Sequence, residues 1–119
     1  MPIGESGEMY LTTILQLSKN NGRVRSLDIA NQMGFSRPSV SRAIKILKEE
    51  HYIYVSGMGY ITLTETGMEI AKKINERHMV IRDFLISKGV DNEIAEKDAC
   101  RIEHIISEES IKALKDCLD

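Results

Sequence analysis

The sequence is poor in the features that define secreted or membrane proteins. Its 119 residues include two cysteines, Cys100 and Cys117, which are too few for a disulfide framework. No apolar run approaches the roughly 20 residues that a membrane-spanning helix needs, and the N-terminus carries no signal-peptide core. We therefore expect a cytoplasmic protein with no membrane partner, built as one domain or as two small lobes.

Net charge is also low, at −2, and by itself does not indicate a nucleic-acid binder. Its distribution is more informative. Residues 1–63 contain seven Lys/Arg and five Asp/Glu, whereas residues 64–119 contain nine Lys/Arg and thirteen Asp/Glu. A mildly basic first part suits DNA binding and an acidic second part suits cation binding, so we predict a domain boundary between these two ranges.

The first part begins with two predicted helices. Residues 1–5 are predicted to form a tail, and Ser6 is a suitable N-cap for a helix that stops before Gly22. Ser26 is predicted to cap a second, shorter helix, which Gly34 ends. A tight turn at this glycine is typical of a helix-turn-helix.

The next helix has the pattern of a DNA-recognition helix. Ser36 is a predicted N-cap, and Val40, Ile44 and Leu47 recur at the helical period and form one apolar stripe. Small hydroxyl side chains allow close approach to a groove, and arginine can bind guanine or phosphate. The alternative is a solvated helix face. The expected DNA-contacting residues are Arg37, Pro38, Ser39, Ser41, Arg42 and Lys45.

Two β-rich runs follow, residues 52–55 and 60–63, around a turn that contains two glycines. They predict a hairpin, and a helix-turn-helix followed directly by a hairpin is a winged helix. Because a wing commonly lies over the DNA backbone, residues 56–60 are candidate neighbours of phosphate.

The second part is predicted to be helical throughout. Thr64 caps a long helix that ends at Lys88 and Gly89, and shorter helices follow at residues 92–106 and 108–118. The long helix is apolar on more than one face, so we expect a second copy of the chain to cover the surplus. The predicted fold class is mainly α with a small β wing: an N-terminal winged helix-turn-helix plus a C-terminal helical dimerisation domain.

A thiol, a carboxylate and an imidazole lie within five residues near the end of the chain. Cys100, Glu103 and His104 would share one face of the predicted helix, and such a set can supply most of a transition-metal coordination shell. The same spacing also fits a plain helix with a buried cysteine beside an exposed Glu–His pair.

In the order of its parts and in its motifs, the chain resembles the iron-dependent (diphtheria-toxin-repressor-like) transcriptional repressors and the related manganese-responsive regulators. It resembles the short form, without the SH3-like domain. The likeness covers nearly the whole chain. The motifs that carry it are Glu8-Met9-Tyr10-Leu11, Pro38-Ser39-Val40-Ser41, Leu63-Thr64-Glu65-Thr66-Gly67, Arg77-His78 and Asp98-Ala99-Cys100-Arg101-Ile102-Glu103-His104.

The resemblance implies a ligand set for a divalent transition metal. In the iron-responsive branch the regulatory metal is held by residues that correspond to Met9, Cys100, Glu103 and His104. The manganese branch tends to place carboxylates at the positions of Met9, Thr12 and Cys100. The sulfur atoms here favour Fe²⁺ over Mn²⁺ on chemical grounds, with Mn²⁺ or Zn²⁺ as alternatives.

The family's second metal site is implied less completely. His78 matches a ligand, and Glu96 stands where the iron branch often has histidine. Arg82 stands where a carboxylate is usual, and its charge would repel a metal. His78 and Glu96 are retained as candidate ligands.

The implied function is that of a regulator, not an enzyme. Metal would act as corepressor, and the loaded homodimer would bind double-stranded operator DNA. Two alternatives stay open from the residues. One is a metal-independent winged-helix regulator that senses a small molecule or an oxidant through Cys100. The other is an enzyme with Cys100 as nucleophile and His104 as base, for which no oxyanion or substrate pocket is evident.

Overall fold

The computed structural model describes residues 4–118, and within them the chain forms six helices and a two-stranded sheet. The predicted fold class is confirmed. The elements are α1 (Glu5–Asn21), α2 (Ser26–Met33), α3 (Arg37–Glu49), β1 (Ile53–Val55), β2 (Ile61–Leu63), α4 (Glu65–Ser87), α5 (Asn92–Ile102) and α6 (Glu108–Leu118). The chain divides into two compact units, one up to Lys72 and one from Lys73 onward.

A single apolar core organises the first unit. Each helix and strand of the winged-helix region contributes at least one side chain that is almost completely removed from solvent. The largest of these are Leu11, Ile14, Val24, Ile29, Val40, Ile53 and Ile61. Burial of this kind contributes about 1.5–3 kcal/mol for each large aliphatic side chain, so the core fixes the positions of α3 and of the hairpin.

Helix α3 begins and packs as predicted. The Ser36 side chain accepts a hydrogen bond from the Ser39 backbone N–H, at 3.3 Å, and Pro38 lies in the first turn. Val40, Ile44 and Leu47 are buried. The preceding Gly34 has a left-handed conformation with φ 71°, which glycine adopts without steric cost and which ends α2.

The hairpin is also present, and a third segment joins it. Strands β1 and β2 are antiparallel, with Tyr54 opposite Thr62. The Ile61 N–H donates to the Val24 carbonyl at 2.8 Å, so the extended chain between α1 and α2 pairs with the hairpin.

The start of α4 is built on a close backbone approach. Thr64 caps the helix, because its hydroxyl accepts from the Gly67 N–H at 3.1 Å and donates to the His51 carbonyl at 2.8 Å. A side chain at position 67 would collide with the Tyr52 carbonyl oxygen. Glycine is therefore required inside this helix for packing, although it lowers helix propensity.

Two predicted helix starts are wrong. Part of the predicted tail lies at residues 1–3, outside the described residues, but Glu5 is already helical and the N-cap is Gly4, not Ser6. Helix α2 includes Ser26, and its N-cap is Arg25, whose N–H donates to the Asp28 carboxylate at 2.8 Å. A carboxylate three residues into the helix thus supplies the cap that the serine was expected to give.

The predicted end of α5 is wrong as well. The helix was expected to continue to Ile106, but it ends at Ile102, and residues 103–105 form a turn. Ser107 then accepts from the Ser110 N–H at 3.1 Å and starts α6. Glu103 nevertheless keeps helical backbone angles, and its N–H donates to the Ala99 carbonyl at 3.0 Å, so it stays on the same face as Cys100.

Candidate metal centre and nucleic-acid interface

His78 lies at the centre of a cluster of metal-binding side chains in the second unit. The residue sits near the middle of α4, and its imidazole side chain is 12% exposed. Its Nδ1 atom is 2.8 Å from Glu103 Oε2, and its Nε2 atom is 2.7 Å from Glu96 Oε1. Both ring nitrogens therefore point at carboxylates, one from α5 and one from the turn that follows it.

Cys100 completes this cluster. Its Sγ atom lies 3.8 Å from His78 Nδ1, and donor atoms of His78, Glu96 and Cys100 all lie within 4.8 Å of one another. The sequence had placed Cys100 in one site and the other two residues in a second site. The structure brings members of both predicted sets together at His78.

The side chains of Glu103 and His104 are buried. The alternative interpretation, a plain helix without a metal site, had predicted that this pair would be exposed. The Glu103 side chain is 8% exposed and that of His104 is 4% exposed, and Glu103 Oε1 lies 3.2 Å from His104 Nε2. Cys100, expected to be buried in that alternative, is exposed. A buried carboxylate costs free energy unless it is paired, and Glu103 is paired with two imidazoles.

Arg77 holds the turn that carries Glu103, and sequence reasoning did not assign it this role. Its Nη1 atom donates to the carbonyl oxygens of Glu103, at 3.5 Å, and Ile106, at 3.3 Å. Its Nη2 atom lies 3.7 Å from the Glu108 carboxylate. Carbonyl groups at the end of a helix lack hydrogen-bond partners within the helix. The Arg77 guanidinium supplies hydrogen-bond donors to two carbonyls at and after the end of α5. In the sequence, the position of Arg77 directly before the candidate ligand His78 is the one signal that could have suggested this role.

The electrostatics of the cluster favour the protonated forms of His78 and Cys100. A hydrogen bond that the imidazole donates to the Glu103 carboxylate raises the pKa of His78 above its ordinary value; burial opposes this shift, and Glu96 adds to it. Cys100 is exposed as a residue but partly desolvated at its thiol; this partial burial raises the pKa of the thiol, and the charges of Glu103 and Glu96 raise it further. A thiol with a raised pKa is a poor nucleophile and a poor redox sensor, so the geometry does not favour either alternative based on Cys100.

Arg82 lies beside a candidate ligand, as the sequence led us to expect. Its Nη1 atom is 3.7 Å from Glu96 Oε2, and its Nε atom donates to the Asp83 carboxylate at 3.1 Å. The guanidinium is thus shared between two carboxylates. It lowers the negative charge that Glu96 offers to a cation.

The donor set fits a divalent transition metal. Nitrogen, sulfur and carboxylate oxygen are the donors that Fe²⁺, Zn²⁺ and related ions accept, at about 2.0–2.3 Å from the ion. Two such donors on one ion lie at most about 4.6 Å apart, which is close to the spread of the cluster. A carboxylate on the second ring nitrogen is also the usual means of orienting a ligating histidine.

The remaining predicted ligand lies in the first unit. Met9 is on α1 and is 40% exposed. The neighbouring Thr12 hydroxyl is occupied within the helix, because it donates to the carbonyls of Glu8 and Met9 at 3.1 and 3.0 Å.

Helix α3 exposes most of the residues that were predicted to contact DNA. Arg37, Pro38, Ser41, Arg42 and Lys45 are exposed. Ser39 differs, since it is only partly exposed and its hydroxyl lies 2.8 Å from that of Ser36. The exposed side of α3 therefore combines two arginines, one lysine and a small hydroxyl residue.

No helix among residues 4–118 is long and apolar enough to cross a membrane.

Two family models match the chain. The model described as iron dependent repressor, N-terminal DNA binding domain, matches residues 3–60. The model described as iron dependent repressor, metal binding and dimerisation domain, matches residues 64–119. Between them the two models account for nearly the whole sequence.

Curated relatives are regulators of bacteria and archaea. The chain is 34% identical over 106 residues to the transcriptional regulator MntR of Escherichia coli, an alignment that covers 89% of this chain and 68% of the relative. It is also 34% identical over 115 residues to the uncharacterized HTH-type transcriptional regulator MJ0568 of Methanocaldococcus jannaschii, covering 95% of this chain and 92% of that protein.

Solved structures agree in fold. The manganese regulator SloR superposes with a TM-score of 0.82 at 26% identity, over 99% of this chain and 54% of SloR. The IdeR protein of T. acidophilum gives a TM-score of 0.82 at 26% identity, over 99% of this chain and 55% of IdeR. The chain thus spans about half the length of these two proteins.

Proposed function

Because this chain belongs to the iron-dependent repressor family, we propose that it is a transcriptional repressor that binds operator DNA when a divalent transition metal is loaded. The family consists of regulators and not of enzymes. The observation that carries the proposal is the convergence of His78, Glu96, Cys100 and Glu103 in the second unit. The exposed basic side of α3 in the first unit provides the surface for DNA.

The metal is proposed to bind at the residues that surround His78. Cys100 would donate sulfur, Glu103 oxygen and His78 nitrogen, with Glu96 either as a ligand or as the carboxylate that orients the imidazole. His104, which lies against Glu103, and Met9 remain proposed ligands on the family resemblance. The bound ion would supply positive charge beside the carboxylates of Glu103 and Glu96, both of which face His78.

The proposal also covers which divalent metal activates the protein. The sulfur donor of Cys100 favours Fe²⁺ over Mn²⁺, because Mn²⁺ prefers carboxylate and carbonyl oxygen. SloR, by contrast, is a manganese regulator, and several curated relatives are named MntR. We propose Fe²⁺ as the activating metal and Mn²⁺ as the alternative, with the choice between them determined by position 100.

A homodimer is proposed to present two copies of α3 to DNA. Exposed large apolar residues are frequent in the second unit: Met79, Ile86, Ile94, Ile105 and Leu118 are each more than a third exposed. Helix α6 has no buried residue among those described. A surface of this kind is typical of an interface. A dimer that binds DNA in the cytoplasm would recognise two half-sites whose spacing mirrors the separation of its recognition helices.

The test is DNA binding measured against metal. A labelled duplex, enriched from a random-sequence library by repeated selection on the metal-loaded protein, is titrated by fluorescence anisotropy without oxygen. Fe²⁺, Mn²⁺ and Zn²⁺ are each added, and a chelator serves as the control. We expect binding with metal and its loss with chelator. Equal affinity in both conditions would contradict the proposal and favour a metal-independent winged-helix regulator.

A further inference from the structure

A pair of arginines lies outside both sites already described, beside the hairpin of the first unit. Arg23 and Arg25 flank Val24 in the extended segment between α1 and α2. Alternate residues of an extended chain point to the same side. Val24 is buried in the core at 1% exposure, so its two neighbours project outward, and both are exposed.

Both guanidinium groups lie on one aromatic ring. The Cζ atom of Arg23 is 5.0 Å from the centroid of the Tyr60 ring, and that of Arg25 is 4.6 Å from it. Tyr60 directly precedes β2. The N–H of the next residue, Ile61, donates a hydrogen bond to the Val24 carbonyl at 2.8 Å. The ring and both arginines are therefore fixed to one another through the backbone. We call this group the Arg23–Tyr60–Arg25 cluster.

The positive charge of this cluster is not neutralised. Among residues 4–118, no carboxylate forms an ion pair with either guanidinium, and the nearby Asp28 carboxylate is hydrogen-bonded to the Arg25 backbone N–H at 2.8 Å. Hydrogen bonds and charge from Arg25 and Arg23 lower the pKa of the Tyr60 hydroxyl, which is the response expected beside uncompensated positive charge. Each guanidinium carries five N–H donors, so a contact with the aromatic ring and its hydroxyl orients the arginine while other donors can still bind an anion.

We infer that the Arg23–Tyr60–Arg25 cluster is a second DNA-contact surface, which binds phosphates of the DNA backbone through its two guanidinium groups. The inference rests on the proposed function. Planar guanidinium donors match phosphate oxygens in pairs. The hairpin that carries Tyr60 belongs to the same compact unit as α3, so the two surfaces can act on one duplex. Phosphate contacts add affinity without reading sequence.

The decisive measurement is the salt dependence of DNA binding. The probe is a random-sequence 30-base-pair duplex, and affinity is measured by anisotropy over a series of salt concentrations. Each phosphate contact adds about 0.9 to the slope of log K against log salt. We expect the double variant Arg23→Gln, Arg25→Gln to lower the slope by about two. The matched control, Lys19→Gln with Lys72→Gln, removes two exposed charges from the same unit and should keep the wild-type slope.

Two further variants test the chemistry of the contact. Lysine also binds phosphate as a point charge, so Arg23→Lys with Arg25→Lys should keep most of the slope. Tyr60→Phe should bind like wild type, whereas Tyr60→Leu should weaken binding because the arginines lose their support. Circular dichroism and thermal unfolding of each variant establish that it is folded.

The possible results separate this inference from the proposed function. An unchanged slope in the glutamine variant, with the wild type still binding DNA, overturns the cluster and leaves the proposed function intact. A lysine variant as weak as the glutamine variant overturns the phosphate contact, and Tyr60→Leu with wild-type affinity overturns the role of the ring. A wild type that binds DNA equally with and without metal overturns the proposed metal dependence, while the slopes still test the cluster.

Discussion

At the scale of single residues, His78 joins side chains that lie far apart in the sequence. Its two ring nitrogens are directed at Glu103 and Glu96, and Cys100 lies on the side of Nδ1. An imidazole in this position has no freedom to turn without breaking one of these contacts. Cys100 contributes the sulfur atom of this cluster. The residue at position 100 therefore determines whether the cluster suits a softer or a harder ion.

Cys100→Asp should change the preferred metal while the site is kept. A carboxylate replaces sulfur with oxygen, so the ratio of Mn²⁺ to Fe²⁺ affinity should rise by on the order of tenfold. Both affinities are measured by competition with a chromophoric chelator under anaerobic conditions. Cys117→Ser, which alters the other exposed cysteine, should leave the ratio unchanged. An unaltered ratio in Cys100→Asp would remove Cys100 from the ligand set.

Arg42→Ala should weaken DNA binding, because Arg42 is exposed on the polar side of α3. A bidentate contact with a base would cost about 1–3 kcal/mol on the selected duplex and little on random DNA. A phosphate contact would weaken both and lower the salt slope by about one. Anisotropy with the two duplexes separates these cases, with Lys19→Ala as the control. No change with either duplex would exclude Arg42 from the interface.

At the scale of elements, the turn between α5 and α6 is the feature that most affects the site. It places Glu103 under His78 and is held from outside by the Arg77 guanidinium. Lys73 and Arg77 both approach the Glu108 carboxylate at the start of α6, and Lys73 lowers the pKa of Glu108 through a hydrogen bond, with Arg77 adding a smaller effect. The middle of α4 therefore contacts both the turn and the first residue of the helix that follows it.

Arg77→Met should impair metal binding more than it impairs folding. Loss of both carbonyl contacts frees the turn, and partners that orient ligands are typically worth about 10–100-fold in metal affinity. Arg77→Lys should recover little, because an ammonium group cannot reproduce the forked donors. The measurements are Co²⁺ affinity, the absorption band of the cobalt–thiolate bond and the thermal unfolding temperature.

The matched control for Arg77→Met is Lys115→Met. It removes the contact between Lys115 and Glu76, 3.1 Å long, which also joins α6 to α4 but does not involve the turn. If Lys115→Met loses as much Co²⁺ affinity as Arg77→Met, the effect comes from packing of α6 and not from the turn.

At the scale of the whole molecule, several large apolar side chains of the second unit are exposed, among them Ile94 at 54% and Ile105 at 71%, and exposed apolar surface is typical of an interface. We expect sedimentation equilibrium at micromolar concentration to give about twice the chain mass of 13.5 kDa. The apolar residues of α4, α5 and α6 would supply the interface. A mass of 13.5 kDa alone, both with metal and with chelator, would contradict the proposed homodimer.

Met9→Ala tests whether metal binding in one unit controls DNA binding by the other. Metal affinity and DNA affinity are measured on the same protein. We expect metal to remain bound, because the donors of the second unit are intact, but activation of DNA binding to fall. The thioether would then be the ligand that transmits metal occupancy to the first unit. Full activation without Met9 would require another route of coupling between the units.

The sequence alone determined the order of the helices and strands and the winged-helix motif. These features depend on local chemistry. Ser36 and Thr64 cap helices that begin beside them, Gly34 adopts its left-handed conformation within its own turn, and Val40 and Ile44 follow the period of one helix. Each of these signals acts over a few residues, so it can be recognised without knowing the fold.

Tertiary structure decided the contacts between residues that are distant in sequence. His78 meets Glu103 and Glu96 because side chains of α5 and of the turn after it reach α4. Arg77 likewise meets the carbonyls of Glu103 and Ile106 in that turn, although it lies 26 residues before Glu103. Tyr60 likewise meets Arg25 only because the segment between α1 and α2 pairs with β2. Such contacts follow from how the elements pack, and helical periodicity and capping carry no information about that packing.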